Sequence, residues 1–208
     1  MSLVTDWDEY ALRNSDDPAT PFSWTPYAGY GPTLTDILGI LDPEDTVLEL
    51  GCGAGARLAH IAGTGARAIG VDLSGVHVAA ARARCGQTVE VHEAEAVAWL
   101  DAATEQYDIV VSVFGTHWFT DPALLLPAIR RRLHADGSVL LARTRPTTHY
   151  NPVITGHQTS TRHVLCWDGE AHQWADALAD AGFDRCSART VAAPVPGGWD
   201  TVILRAWS

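Results

Sequence analysis

Lysine is absent from this sequence of 208 residues, so arginine alone supplies its 14 formal positive charges, against 25 acidic residues. The net charge of −11 argues against DNA or RNA as the main partner, because little is available to neutralise a phosphate track. Long apolar runs are absent too, and no stretch approaches the roughly 20 residues of a membrane span. The acidic segment Met1–Glu9 is not expected to be a signal peptide.

Cysteines are few and scattered. Cys52, Cys85, Cys166 and Cys186 form no C-x-x-C pair, which argues against a disulfide framework and against a cysteine-rich zinc site. The expected compartment is therefore the cytoplasm. The histidines near Cys166 lack the tight spacing of metal ligands, so no metal site is predicted.

Apolar residues make up 47% of the chain, and its length suits one α/β domain spanning residues 1–208. No internal repeat interrupts it. Strand and helix patterns alternate from Thr46 onward, which predicts a parallel sheet wrapped by helices. The expected strands are 46–50, 66–71, 87–92, 107–113, 138–142, 183–190 and 201–207, and the expected helices are 33–41, 56–62, one capped by Ser74, 122–133 and 170–181.

Two regions fall outside this alternation. Residues 1–44 are expected to form an N-terminal arm and a cap helix, because 14–32 are rich in Asp, Pro, Gly and aromatic residues and 33–41 have helical spacing. Residues 144–168 contain proline, glycine and three histidines. Long irregular connections are usually functional, so we expect this segment to form a substrate lid.

The strongest motif runs from Glu49 to Gly55, where a buried strand is followed by a turn with three glycines and then a helix. Glycine permits positive φ and close approach of a ligand. Asp72, 21 residues after Gly51, is placed to accept hydrogen bonds from both hydroxyls of a ribose. The spacing is G-x-G-x-G, whereas dinucleotide enzymes use G-x-G-x-x-G. A carboxylate at Glu49 would repel a diphosphate and hold an ammonium group, which favours S-adenosylmethionine as the ligand.

The segment E-L-G-C-G-A-G (Glu49–Gly55), followed by V-D-L-S (Val71–Ser74), resembles the class I S-adenosylmethionine-dependent methyltransferases. The resemblance is greatest to the small-molecule branch that includes the ubiquinone/menaquinone and trans-aconitate methyltransferases. It extends from about Asp45 to Ala142, and Ser112–Asp121 lie in register with the family's fourth-strand signature S-N-A-A-L-H-W followed by D. The resemblance implies a Rossmann-like, doubly wound, mostly parallel sheet of seven strands in three layers, with the last strand antiparallel.

The resemblance also implies a set of cofactor-binding residues. Gly51, Cys52 and Gly53 would pass the methionine moiety along their backbone, while Glu49 and the Val113 backbone would hold its amino group. Asp72 would bind the ribose. The residues implied around the adenine are Leu73, His77, Glu95 and Ala96. Two of these depart from the family pattern, since His77 stands where Met is common and Glu95 where Asp is usual.

His117 follows the fourth strand and is the predicted catalytic base, because an imidazole with a pKa near ~6.5 can remove a proton from an acceptor. The alternative is a structural His-Trp pair. The predicted substrate contacts are Tyr30, Trp118, Arg143 and His149, with Arg143 placed to hold a carboxylate or else to face solvent.

The resemblance implies methyl transfer from S-adenosylmethionine to a small organic acceptor, in the setting of natural-product biosynthesis. Oxygen or carbon methylation without a metal is favoured, because an N-P-P-Y-type amine-methylation signature and a cluster of metal-binding acids are both absent from the sequence. Two alternatives stay open: a protein that binds the cofactor as a scaffold or signal without methyl transfer, and an NAD(P)-dependent oxidoreductase. The sequence does not specify an oligomeric state.

Overall fold

Between Thr46 and Thr144, helices separate successive strands, as the alternation in the sequence predicted. The structure is a computed structural model, which describes residues 3–13, 23–144, 151–156 and 163–208. In chain order the strands are β1 (Thr46–Leu50), β2 (Arg67–Asp72), β3 (Glu90–Glu93), β4 (Tyr107–Val113), β5 (Leu133–Thr144), β6 (Asn151–Gly156), β7 (His163–Asp168), β8 (Arg185–Val191) and β9 (Thr201–Trp207).

The helices lie mainly between these strands. They are α1 (Leu3–Arg13), α2 (Leu34–Leu38), α3 (Ala56–Ala62), α4 (Gly75–Cys85), α5 (Ala96–Ala102), α6 (Thr116–Phe119), α7 (Pro122–Arg131) and α8 (Ala171–Asp180). Local signals begin and end several of them. Ser74 caps α4 by accepting a hydrogen bond from the His77 amide, as predicted, and Pro122 occupies the first turn of α7.

The main sheet has the strand order β3-β2-β1-β4-β5-β9-β8. The first five strands are parallel, and β9 runs antiparallel to both β5 and β8. The order reverses between β1 and β4, and in open α/β sheets ligands bind at the carboxyl ends of the strands beside such a reversal. The predicted seven-stranded, mostly parallel sheet is confirmed.

Two apolar clusters, one on each face of the sheet, make the predicted three layers. On one face Leu48 and Val110 pack with residues of α5, α7 and α8, among them Trp174. On the other face Val47 and Val111 pack with α3, α4 and the buried ring of Trp24. Central strands buried on both faces hold the carboxyl ends of β1, β2 and β4 in fixed positions.

The N-terminal region differs from its prediction. Leu3–Arg13 form a helix, α1, which the composition of the segment did not indicate. The predicted helix over 33–41 is shorter, because Gly39 adopts a φ of +86° and ends α2 after Leu38. Residues 14–22 of the predicted arm lie outside the described part of the chain.

The predicted lid contains regular structure where the sequence suggested none. Strands β6 and β7 pair antiparallel and form a second, two-stranded sheet, and β7 packs against α6. Residues 145–150 and 157–162 of this segment, with His149 and His157, lie outside the described residues.

Candidate functional site

The glycine turn after β1 forms the floor of the site. Gly51 and Gly53 have φ values of +73° and +53°, in the left-handed region that favours glycine. A Cβ on Gly51 would lie 2.7 Å from the amide nitrogen of Thr116, so this position tolerates no side chain. A Cβ on Gly53 would meet no atom within 4 Å, because Gly53 borders an open cavity.

Asp72 lies at the end of β2, directly across from this turn. Its Oδ2 accepts a hydrogen bond from the Gly53 amide at 2.8 Å, and its Oδ1 accepts one from the Ser74 amide at 2.9 Å. Nδ1 of His77 lies 3.5 Å from the same Oδ1. The carboxylate therefore braces the glycine turn, and each of its oxygens retains acceptor capacity toward the cavity.

A cavity of about 370 Å³ opens at the carboxyl ends of β1, β2 and β4. Most of the predicted cofactor-binding residues line it: Gly51, Gly53, Asp72, Leu73, His77, Glu95, Ala96 and Val113. Val71 and Ala94 add apolar surface beside Leu73 and Ala96. The structure thus brings together side chains that are separated by up to 62 positions in the sequence.

Glu49 does not line the cavity, which corrects the predicted contact with an ammonium group. Its side chain is fully buried, and its Oε1 lies 2.5 Å from Nε of Arg57. Burial raises the pKa of Glu49, and the guanidinium of Arg57 opposes that rise. Because Arg57 neutralises this carboxylate, the argument that Glu49 would repel a diphosphate also fails.

Cys52 is the second predicted cofactor residue that the cavity does not include. Its side chain is buried beneath β2, with Sγ only 2.9 Å from where a Cβ on Gly70 would stand. Burial raises the pKa of this thiol well above its usual range. The thiol therefore serves packing, and Cys52 contributes its amide, which donates to the Val71 carbonyl at 3.2 Å.

Glu95 borders the cavity but has a structural role there as well. Its Oε1 accepts from the Val97 amide at 3.1 Å and its Oε2 from the Ala98 amide at 2.8 Å, which caps the start of α5. Carboxylates are favoured at helix N-termini by the exposed N–H groups and the helix dipole. The predicted contact with an adenine amino group would have to share these oxygens.

The turn after β4 forms the wall opposite Asp72. Phe114, between Val113 and Gly115, has a φ of +51°, an unusual conformation for a residue with a side chain. Such backbone strain concentrates at functional sites. Phe114, Gly115 and Thr116 all line the cavity, and the Phe114 amide donates to the Ala142 carbonyl at 2.8 Å.

His117 does not line the cavity, in contrast to its predicted role as catalytic base. The side chain is fully buried, with Nδ1 3.0 Å from Oγ of Ser112 and the ring edge-on to Trp174 at 5.8 Å. Burial lowers the pKa of His117 to about 3. For His117 this geometry agrees with the structural alternative, but its ring partner is Trp174, whereas the neighbouring Trp118 lines the cavity.

Arg143 is also buried, and it lies outside the cavity. Its Nη1 donates to the Trp167 carbonyl at 3.0 Å, and the guanidinium lies between the rings of Trp118 (5.5 Å) and Trp174 (5.7 Å). Burial lowers the pKa of Arg143 to about 10. The side chain ties β5 to β7, so the structure does not place it where the predicted substrate carboxylate would bind.

Of the other predicted substrate contacts, only Trp118 lines the cavity. Tyr30 packs edge-on to Tyr27 at 6.3 Å, away from the cavity. His149 lies outside the described residues. The described structure therefore supports one of the four predicted positions as a cavity residue.

Helix α1 supplies cavity residues that the sequence interpretation missed. Leu3, Trp7 and Tyr10 line the cavity from above, and their i, i+4, i+7 spacing was the signal available in the sequence. Oδ1 of Asp8 accepts a hydrogen bond of 2.6 Å from Oγ of Ser74, which fixes α1 to the start of α4.

Arg57 was missed as well. It lies on the first turn of α3, lines the cavity, and donates from Nη2 to the Val113 carbonyl at 3.3 Å. Arg57 lies two residues beyond the motif Glu49–Gly55, and its pairing with Glu49 became evident only from the structure.

A strand, a glycine turn, a helix and an acid at the end of the next strand define a Rossmann-like nucleoside-binding domain. Comparison with known proteins narrows this class, since residues 47–137 match a family model described as "Methyltransferase domain". A Malonyl-(acyl-carrier protein) O-methyltransferase of Paenibacillus sp. (strain JDR-2) is 24% identical over 160 residues, which cover 67% of this chain and 55% of that protein. A ubiquinone biosynthesis O-methyltransferase of Methylococcus capsulatus is 30% identical over 121 residues, which cover 56% and 51%.

The fold is similar to that of solved structures. The 1,6-didemethyltoxoflavin-N1-methyltransferase of Burkholderia thailandensis, solved with 1,6-didemethyltoxoflavin and S-adenosylhomocysteine, superposes with a TM-score of 0.65 at 20% identity. The match covers 84% of this chain and 74% of that one. These matches agree with the resemblance to the class I S-adenosylmethionine-dependent methyltransferases that the motifs indicated. It spans about half the length of the curated relatives it matches.

The described ranges, 3–13, 23–144, 151–156 and 163–208, were compared with metal sites and membrane spans. No group of three His, Cys, Asp or Glu side chains is arranged there to hold a metal ion. No helix in those ranges has the length and apolar character needed to cross a membrane.

Proposed function

We propose that this protein transfers a methyl group from S-adenosylmethionine to a small organic acceptor. The observation that carries the proposal is the position of Asp72, which faces the cavity while its oxygens hold the Gly53 and Ser74 amides. The names of the relatives support the reaction class, because two are O-methyltransferases and the solved structure contains S-adenosylhomocysteine.

The residues around the cavity fit a nucleoside with an amino-acid head. Free lone pairs on Asp72 can accept both hydroxyls of a ribose, with the strength of hydrogen bonds to a charged acceptor. Apolar surface from Leu73 and Ala96 forms a slot suited to a flat base. The open space beside Gly53, where a Cβ would meet no atom within 4 Å, leaves room for a ligand to approach the backbone.

S-adenosylmethionine, when bound, supplies a methyl group that its sulfonium already activates. The protein's task is then alignment and exclusion of water. Phe114 and Gly115 form a rigid wall on the β4 side of the cavity, and Trp7 on α1 contacts Phe119 on α6 at a ring distance of 4.7 Å. Both rings line the cavity and add apolar surface to its wall.

We assign His117 a structural role in this reaction, because its imidazole is buried behind the cavity wall. Proton removal by His117 is therefore not part of the proposed mechanism. Acceptors whose oxygen or carbon nucleophile ionises readily fit such a site, and we retain oxygen or carbon methylation without a metal as the favoured chemistry.

The acceptor belongs in the part of the cavity bordered by Trp118, Phe119 and Thr120, beyond the turn at Phe114. Aromatic walls of this kind suit an organic molecule. The net charge of −11 favours a small acceptor over a nucleic acid.

Two measurements test the proposal. Calorimetry with S-adenosylhomocysteine is expected to show binding, and thermal-shift measurements are expected to show stabilisation by S-adenosylhomocysteine and none by NAD⁺. Incubation of the protein and S-adenosylmethionine with phenolic, enolic and carboxylic acceptors should then release S-adenosylhomocysteine. Stabilisation by NAD⁺ alone would favour the oxidoreductase alternative.

A further inference from the structure

Arg57 stands out among the charged groups of the cavity. Among the described residues that line it, Arg57 carries the only guanidinium, whereas Asp72 and Glu95 contribute carboxylates. About a fifth of the Arg57 side chain is exposed, and the residue lines the cavity. The sequence analysis assigned no group of the ligand to this cation.

Glu49 and Val113 fix the orientation of this guanidinium. Its Nε donates to Oε1 of the buried Glu49 at 2.5 Å, and its Nη2 donates to the Val113 carbonyl at 3.3 Å. Within the described part of the chain, Nη1 donates to no other group. Two of the three nitrogens are thus held by the protein, which leaves the third available for a ligand.

The partners of Arg57 also border the place where the amino-acid head of the ligand would lie. Val113 ends β4 and borders the cavity, and Gly51 lines the facing side of the same space. A carbonyl and a guanidinium side by side suit a zwitterion, because the carbonyl can accept from an ammonium group and the guanidinium can donate to a carboxylate.

We propose that Arg57 binds the α-carboxylate of the methionine moiety and that Glu49 acts as its positioning residue. The proposal rests on the proposed function, since it assigns one end of the same ligand. It replaces the direct contact between Glu49 and the ligand that the sequence suggested. Glu49 acts through Arg57, because its own carboxylate is fully buried.

The experiment compares two ligands that differ by one group. These are S-adenosylhomocysteine and its decarboxylated analogue, S-adenosyl-3-thiopropylamine, and their dissociation constants are measured by calorimetry. The wild-type protein is expected to prefer S-adenosylhomocysteine by roughly tenfold to a hundredfold, the range for a hydrogen bond between charged groups. The substitution Arg57→Met should remove this preference and leave the affinity for the analogue within about threefold of wild type.

Controls separate binding from folding. Arg57→Met leaves the Glu49 carboxylate buried without a counter-ion, so the double variant Glu49→Gln/Arg57→Met removes both charges. This double variant should fold and bind the two ligands equally. Arg82→Met is the matched control, because Arg82 also donates to a backbone carbonyl, that of Val91, but lies outside the cavity. It should keep the full preference.

The single variant Glu49→Gln tests the positioning role. It retains Arg57 but weakens the contact that orients it, so the preference for S-adenosylhomocysteine should fall below that of wild type while affinity for the analogue is unchanged. An unaltered preference would contradict the role of Glu49.

The possible failures are distinguishable. If the double variant keeps the preference, or if wild type binds both ligands equally, Arg57 is not the carboxylate site and the proposed function still stands. If wild type binds neither ligand, the proposed function itself is wrong and the assignment of Arg57 falls with it.

Discussion

The indole of Trp7 and the ring of Phe119 lie 4.7 Å apart between centroids, at an interplanar angle of 67°. This edge-to-face pair joins α1 to the short helix after β4, and both rings line the cavity. The hydrogen bond from Ser74 to Asp8 and the ring contact between Tyr10 and His77 attach α1 to α4 as well. The wall of the cavity therefore includes a helix that lies outside the glycine motif.

Substituting Trp7 by alanine tests this attachment. We expect the affinity for S-adenosylhomocysteine to fall by roughly two- to tenfold, the equivalent of one aromatic pair. Hydrogen exchange of the α1 amides should accelerate at the same time. Leu12→Ala on the exposed face of α1 is the control, and equal effects of the two substitutions would contradict the role of Trp7 in the cavity wall.

Gly51 and Gly53 provide a matched pair of substitutions in one turn. Both have positive φ, so alanine at either position costs about 1–2 kcal/mol of backbone strain. Only Gly51→Ala adds a clash, with the Thr116 amide, and it should lower the free energy of unfolding well beyond that amount. Gly53→Ala should instead weaken binding of S-adenosylhomocysteine, because its Cβ points into open space. Denaturant unfolding and calorimetry measure the two effects, and their reversal between positions would refute the assignment.

The buried imidazole of His117 makes stability depend on pH. Burial lowers its pKa to about 3 in the folded protein, whereas the unfolded chain binds a proton near ~6.5. The contribution is complete above the unfolded pKa and is lost as pH falls from there toward 3, by up to about 1.4 kcal/mol per pH unit. Urea unfolding of wild type and His117→Gln between about pH 7 and 5 should show a shallower decline for the variant.

A matched control makes this test specific. His172→Gln on the exposed surface of α8 should decline in parallel with wild type. If His117→Gln also runs parallel to wild type over the whole range, the imidazole is not held neutral by the fold.

Much of the fold could be predicted from the sequence, because the hydrophobic periodicity agrees with the positions of the glycine and proline residues that end helices and strands. The apolar run Tyr107–Val113 and the pattern of Thr201–Trp207 correspond to strands with those bounds. Helix α1 could not be predicted in the same way. Leu3, Trp7 and Tyr10 have helical spacing, but the segment is short and acidic, and its order depends on tertiary contacts with α4 and α6.

Site residues could be predicted where backbone conformation and sequence spacing determine their positions. They could not be predicted where the role depends on whether the side chain is buried. Gly51 and Asp72 follow from a turn and a strand end. Glu49 and His117 have polar side chains that the sequence cannot place on the inner or outer side of a turn. Both proved fully buried, and their roles changed with that burial.

The central claim is that the cavity beside the glycine turn holds a nucleoside through Asp72. Calorimetric titration of S-adenosylhomocysteine into the Asp72→Ala variant tests this claim most directly. The control is Asp108→Ala. Asp108 likewise accepts a hydrogen bond from a backbone amide, that of Thr46, but lies at the opposite end of the sheet. We predict at least about hundredfold weaker binding for Asp72→Ala, from the loss of two charged hydrogen bonds, and near wild-type binding for Asp108→Ala. Wild-type affinity in Asp72→Ala would contradict the account.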